Sequence, residues 1–311
     1  LIWYNMQVWS TMSRLCCKSE TCGVTSDKVD HFQVSVADND DLLGKTVMNS
    51  QTRIITIANQ KGGVGKTTTA INLATALAAI GENVLIVDLD PQGNASTGLG
   101  IDRKNRELSS YDVLMQTASV EDAAIATAVP NLSLIPSTLD LLGVEMEIAG
   151  SGDRATRLRK AFRGDNAVSP FTYILIDCPP SLNLLTMNAM AAADSVLVPL
   201  QCEFFALEGL SQLLETVNQV RTALNPTLTI QGIVLTMFDG RNNLATQVVD
   251  DVRSFMGDKV YRTVIPRNVR VSEAPSYGTP AILYDLKCAG SQAYLQLASE
   301  VIQRERHLRA A

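Results

Sequence analysis

The sequence predicts an α/β protein: a mostly parallel, twisted sheet with helices on both faces. Three observations predict it. Short runs of Ile, Val and Leu recur along the chain, helical patterns alternate with them, and glycine-rich or acidic stretches fall where the apolar runs end. With 311 residues the chain can bury a core that needs no cross-links.

Residues 1–52 stand apart. They begin with Leu, hold Cys16, Cys17 and Cys22, and carry the acidic run ADNDD with little periodicity. They read as a disordered extension or as upstream sequence carried into the reading frame, with Met48 a natural start. Gly44-Lys45-Thr46 imitates a phosphate loop there, but Asp38, Asp40 and Asp41 precede it and repel phosphate. From 53 to 311 a single domain is expected. Its strands, in order, are RIITIA (53–58), NVLIVD (83–88), LSLIP (132–136), YILIDC (173–178), SVLVPL (195–200), IQGIVLTM (230–237) and YRTVIP (261–266). Between them TTTAINLATALAAIG, ending at Gly81, and ALEGLSQLLETVNQVRTAL (206–224) read as helices.

Composition excludes several classes. The net charge is −6, so nucleic-acid contact requires a local basic patch. The six cysteines form no CxxC pair, and His31 and His307 are far apart, which removes zinc, iron–sulfur and Cys/His nucleophile sites. The thiols read as reduced, and the expected location is cytoplasmic. No apolar run reaches membrane-spanning length, and LIWYNMQVWSTM lacks the basic lead and small-residue cleavage site of a signal peptide.

The chemistry gathers at the strand ends, where open α/β sheets bind ligands. After the first strand comes Lys61-Gly62-Gly63-Val64-Gly65-Lys66-Thr67-Thr68, followed by a helix. Glycines let backbone N–H groups curl around phosphate oxygens, and the helix N-terminus adds partial positive charge. Lys66 is expected to reach the β- and γ-phosphates, and the Thr67 hydroxyl to hold Mg²⁺. The loop departs from the usual spelling, with Gln60 where a first glycine is common and a second lysine, Lys61, next to it. Two later strands end in Asp88-Leu89-Asp90 and Asp177-Cys178. Asp177 suits the outer shell of Mg²⁺; Asp90, past its strand tip, suits the same metal region and the positioning of an attacking water.

KGGVGKTT, DLDPQGNAS, DCPPS, TMFDGR and VIPRNVRVSEAPS resemble, block by block and in order, the ParA/Soj chromosome-partitioning ATPases, deviant Walker-type P-loop proteins related to MinD. The resemblance spans about residues 53–305. It implies an ATPase with ATP and Mg²⁺ as cofactors, and a homodimer that sandwiches two ATP molecules with Lys61 crossing into the partner's site. It implies hydrolysis that is slow until stimulated by ParB bound to centromere-like DNA, and association with the nucleoid. Arg241 and Arg270 sit where the family contacts DNA without sequence preference, and Pro266 and Asn268 where it contacts adenine. Region 241–270 carries Arg241, Arg253, Lys259, Arg262, Arg267 and Arg270 against three acids, a local basic balance consistent with phosphate-backbone contact.

A MinD-like membrane-associated ATPase is the nearest alternative. The C-terminal stretch AYLQLASEVIQRERHLRAA carries Tyr294, Leu295, Ala298, Val301 and Ile302 at helical spacing, without Phe or Trp. Packing against the sheet is the expected use of that stripe, and no membrane partner is expected.

Overall fold

The computed structural model describes residues 52–163, 168 and 170–310, with side chains to residue 306. The expectations for the extension, including Met48 and residues 44–46, lie outside the described residues.

Eight strands form one sheet: β1 (Arg53–Ile57), β2 (Val84–Asp88), β3 (Ile125–Ala126), β4 (Leu132–Ile135), β5 (Tyr173–Asp177), β6 (Ser195–Gln201), β7 (Thr229–Phe238) and β8 (Val260–Pro266). Their order is β3-β4-β2-β5-β1-β6-β7-β8. Every pairing is parallel except that of β3 with β4. The seven strands expected from sequence are all present. The two-residue β3 was not foreseen, because a pair of residues has no periodicity to detect.

Alternation divides the core in two. Val84 and Ile86 of β2 point to one face, packed under α1 (Lys66–Ala79) and α7 (Ala289–Ala310). Leu85 and Val87 point to the other, covered by α3 (Leu184–Ala192) and α4 (Ala206–Ala223), with α5 (Asn243–Met256) continuing that layer over β7. Burial on both faces explains why the strands are almost entirely branched aliphatics. Tyr294, Ala298 and Val301 of α7 are buried in this core, so the C-terminal stripe packs inward. No helix among the described residues is long and apolar enough to cross a membrane.

The sequence leaves β1 toward β2 on one side and later returns to add β6 on the other. A crevice therefore opens beyond the carboxyl ends of the strands around β1.

Candidate active site

That crevice is a cavity of about 800 Å³, the size of a nucleotide pocket. One wall is the loop from Gly62 to Thr68. The others come from Asp90 and Gln92, from Pro179–Ser181, and from Pro275 and Ser276 far along the chain.

The loop's shape follows from its sequence. Gly63 (φ 75°) and Gly65 (φ 88°) adopt left-handed backbone, which side-chain-bearing residues avoid. Gln60 has no positive φ, so the missing first glycine leaves no strain. Lys61 N–H donates to Asn59 Oδ1 (3.0 Å), Asn59 Nδ2 donates to the Pro199 carbonyl (2.8 Å), and the Thr236 hydroxyl donates to the Val64 carbonyl (2.8 Å). The loop is thus tied to β6 and β7 on its far side. Gly65 caps α1 with no side-chain acceptor, and the first turn of α1 carries no acid. Such an end suits an anion.

Lys66 is buried, and its ammonium donates to the Lys61 carbonyl at 3.0 Å. Burial lowers its pKa, against the pull of Asp177, Cys178 and Asp90, so it gains from an anionic partner. Lys61 is exposed and pairs with Glu203, to which Gln201 also donates.

Two strand-end carboxylates face each other in register, Asp88 on β2 and Asp177 on β5, and both are fully buried. Asp88 is held by Ser96, whose N–H and hydroxyl donate to Oδ2 at 2.9 and 2.7 Å. Burial pushes its pKa up to about 6. Neither Asp177 oxygen has a hydrogen-bond partner of good geometry, although the Thr67 hydroxyl is close enough to favour its charged form. Burial, then the charge of Asp88, push its pKa well up, while the Thr67 hydroxyl and Lys66 oppose the shift. An orphaned buried carboxylate beside a hydroxyl fits a divalent cation that arrives with phosphate oxygens. Among the described residues no group of three or more His, Cys, Asp or Glu could hold a metal ion.

Thus Gly62, Gly63, Gly65, Lys66, Thr67, Thr68 and Asp90 line one cavity, with Asp177 beneath Thr67. Val64 is buried beneath the loop. Pro266 ends β8, and Asn268 caps α6 (Val269–Glu273) by accepting from Arg270 and Val271 N–H; neither lines the cavity. Arg241 is bidentate with Asp239 (2.9 and 2.7 Å), and Arg270 lies 3.1 Å from Glu273 and 3.7 Å from Asp285. Both arginines sit just beyond adjacent strand ends, where Phe238 of β7 pairs with Pro266 of β8. Sequence reading missed Met237, a cavity residue with φ 52°, and gave no role to Pro275, Ser276 or Asp88.

The sequence profile of a family described as "AAA domain" matches residues 52–230. "Chromosome partitioning protein ParA" of Caulobacter vibrioides is 66% identical over 258 residues, covering 83% of this chain and 97% of that protein. "Sporulation initiation inhibitor protein Soj" of Bacillus subtilis is 55% identical over 249 residues, 80% of this chain and 98% of that protein. Among solved structures, cobyrinic acid a,c-diamide synthase of Mycobacterium smegmatis with bound ATP analog and magnesium superposes with a TM-score of 0.73. It is 35% identical, with coverage of 81% of this chain and 95% of that one.

Proposed function

We propose that this chain, which belongs to the ParA/Soj family of chromosome-partitioning ATPases, is an ATP-driven switch whose dimeric form grips DNA. ATP lies in the 800 Å³ cavity with its phosphates on the Gly62–Thr68 loop. Lys66 leaves the Lys61 carbonyl for the β- and γ-phosphate oxygens, where its buried charge is better matched. Thr67 and Asp177 hold Mg²⁺, which neutralises phosphate charge when bound. Asp90 orients the water whose oxygen attacks the γ-phosphorus as the bond to the ADP oxygen breaks.

Lys61 carries the dimeric half of the reading. It is a second lysine beside the phosphate loop, exposed and outside the cavity lining, where Lys66 already serves. Phe204 and Phe205 follow its partner Glu203, and Leu142 lines the cavity; all three are exposed apolar side chains suited to a second protomer. A cation supplied across that interface makes dimer stability depend on the γ-phosphate. Among the described residues no histidine lines the cavity, and hydrolysis is slow until a partner completes the site; a ParB-like DNA-bound protein is that partner. Arg241 and Arg270, two per protomer, contact the DNA backbone, and the dimer associates with the nucleoid.

Sedimentation tests this. With a non-hydrolysable triphosphate and Mg²⁺ the chain should move as a dimer, and Lys61→Ala as a monomer that still binds nucleotide. A wild-type monomer under those conditions overturns the reading.

A further inference from the structure

Arg106 lies in RKNRE, a stretch that reads as solvated surface, yet it is only 8% exposed. Its guanidinium makes five donations. Nε and Nη2 donate to the Ile101 carbonyl (3.2 and 2.9 Å), and Nη1 to the Ser137 carbonyl (2.9 Å). Nη2 also donates to the Thr97 hydroxyl (2.9 Å) and the Gly93 carbonyl (3.4 Å). Every acceptor is neutral. A buried cation without a carboxylate partner is costly to keep, so its site is worth explaining.

The acceptors share one location. Gly93 and Thr97 bracket the start and end of the segment that follows Asp90, including most of α2 (Asn94–Gly98). Ser137 is the other hinge: its hydroxyl donates to the Asp90 carbonyl (2.5 Å), and its N–H donates to Ser96 Oγ, which in turn holds Asp88. Arg106 therefore joins the segment that follows Asp90 to Ser137, whose hydroxyl holds the Asp90 carbonyl. The fit is close. A Cβ at Gly93, whose φ is 64°, would come within 2.2 Å of Arg106 Nη1, so the guanidinium occupies the room that a side chain there would need. Burial lowers the Arg106 pKa, and of the surrounding carboxylates Asp88 opposes that most.

We infer that Arg106 is a positioning residue for hydrolysis, a planar fork that fixes the Asp90 segment so that the Asp90 carboxylate faces the terminal phosphate. The inference rests on the ATP-site reading above. Arg106 does not itself line the cavity; it touches one lining residue, Thr97, and acts through the Asp90 segment and not on the nucleotide. A fork of fixed geometry matters here more than charge. Lysine, a point charge with three donors on a flexible stem, cannot span Ile101, Ser137 and Thr97 together.

The test is steady-state hydrolysis with wild type, Arg106→Ala and Arg106→Lys, alongside binding of a fluorescent ATP analogue and thermal melting. Both variants should lose kcat by about tenfold to a hundredfold, as expected when a reacting group is misplaced by an ångström or so. Nucleotide Kd should stay within about twofold of wild type, because the phosphate loop is untouched. Millimolar guanidinium should restore part of the kcat of Arg106→Ala and none to wild type. If Arg106→Ala does not fold, Arg106→Lys carries the test, since it retains charge and bulk. Wild-type kcat in the folded variants, or a fall in nucleotide affinity equal to the fall in kcat, overturns the inference. A wild-type chain that does not hydrolyse ATP instead overturns the ATP-site reading itself, so the two failures are distinguishable.

Discussion

Replacing Asp177 by Asn is expected to make the nucleotide-free protein more stable and its response to nucleotide weaker. Asp177 is fully buried, opposes Asp88 across the β2–β5 pairing, and has no hydrogen bond of good geometry to either oxygen. Leaving a buried polar group unsatisfied costs about 1–3 kcal/mol, and more when it is charged. Asn keeps the shape and removes a carboxyl whose charged form burial and Asp88 both oppose, so a gain of about 1–2 kcal/mol is expected at pH values where that carboxyl is ionised. At about 2–4 °C per kcal/mol for a domain of this size, the melting temperature should rise by about 2–8 °C. With a triphosphate at a hundred times its Kd, the wild type should gain about 2.7 kcal/mol of further stability. The part of that gain that requires Mg²⁺ should vanish in Asp177→Asn. Thermal melting in EDTA, in nucleotide with EDTA, and in nucleotide with Mg²⁺ reads all three states. If Asp177→Asn melts below wild type without nucleotide, or keeps the full Mg²⁺-dependent shift, the carboxylate is structural and the metal assignment is wrong.

Asp88 gives a pH prediction. Its folded pKa of about 6 exceeds the ordinary 3.8, so the folded state holds a proton the unfolded state has lost between those values. Its contribution to stability is fully present below about pH 4 and lost as pH rises through about 6; in the wild type minus Asp88→Asn difference, nucleotide-free melting should fall across that window. Changing both Arg241 and Arg270 to Ala should abolish DNA binding by the triphosphate-bound dimer, whose wild-type log–log salt slope should be about −3 to −4 for four phosphate contacts, read by fluorescence anisotropy against salt. Glu203→Gln frees Lys61 from an exposed ion pair worth about 0–1 kcal/mol in each of two protomers, so sedimentation should show the dimer forming at up to about thirtyfold lower protein concentration with triphosphate.

How much of this was legible in the sequence depends on the range of the contacts. The strands were readable because Ile, Val and Leu fill both faces of β1, β2, β5 and β6, and the phosphate loop because its glycines, lysine and threonine are contiguous. Asp88 was quoted but given no role, since the strand register that sets it opposite Asp177 joins residues 89 apart in sequence. Pro275 and Ser276 reach the cavity only through the fold, and Met237 through a left-handed backbone that no residue pattern announces. Arg106 was hidden for the opposite reason. Among Arg103, Lys104 and Glu107 it looks like another solvated charge, and only its neutral acceptors distinguish it.

The cations proposed to meet anionic partners share a feature of the free chain. Lys66 rests on the Lys61 carbonyl, Lys61 on Glu203, Arg241 on Asp239, and Arg270 on Glu273 and Asp285. Each must give up an internal partner before it engages phosphate, so its contribution to binding is a difference between two interactions and is small when taken singly. Two arginines on one protomer then yield little net affinity for DNA. The proposed dimer would present four, and the second pair would bind at the effective concentration set by the first, which multiplies affinity without strengthening any contact. On the proposed reading, weak single contacts are therefore what would let a γ-phosphate control DNA binding: with either arginine unopposed, the monomer would be expected to bind DNA and nucleotide state to matter less.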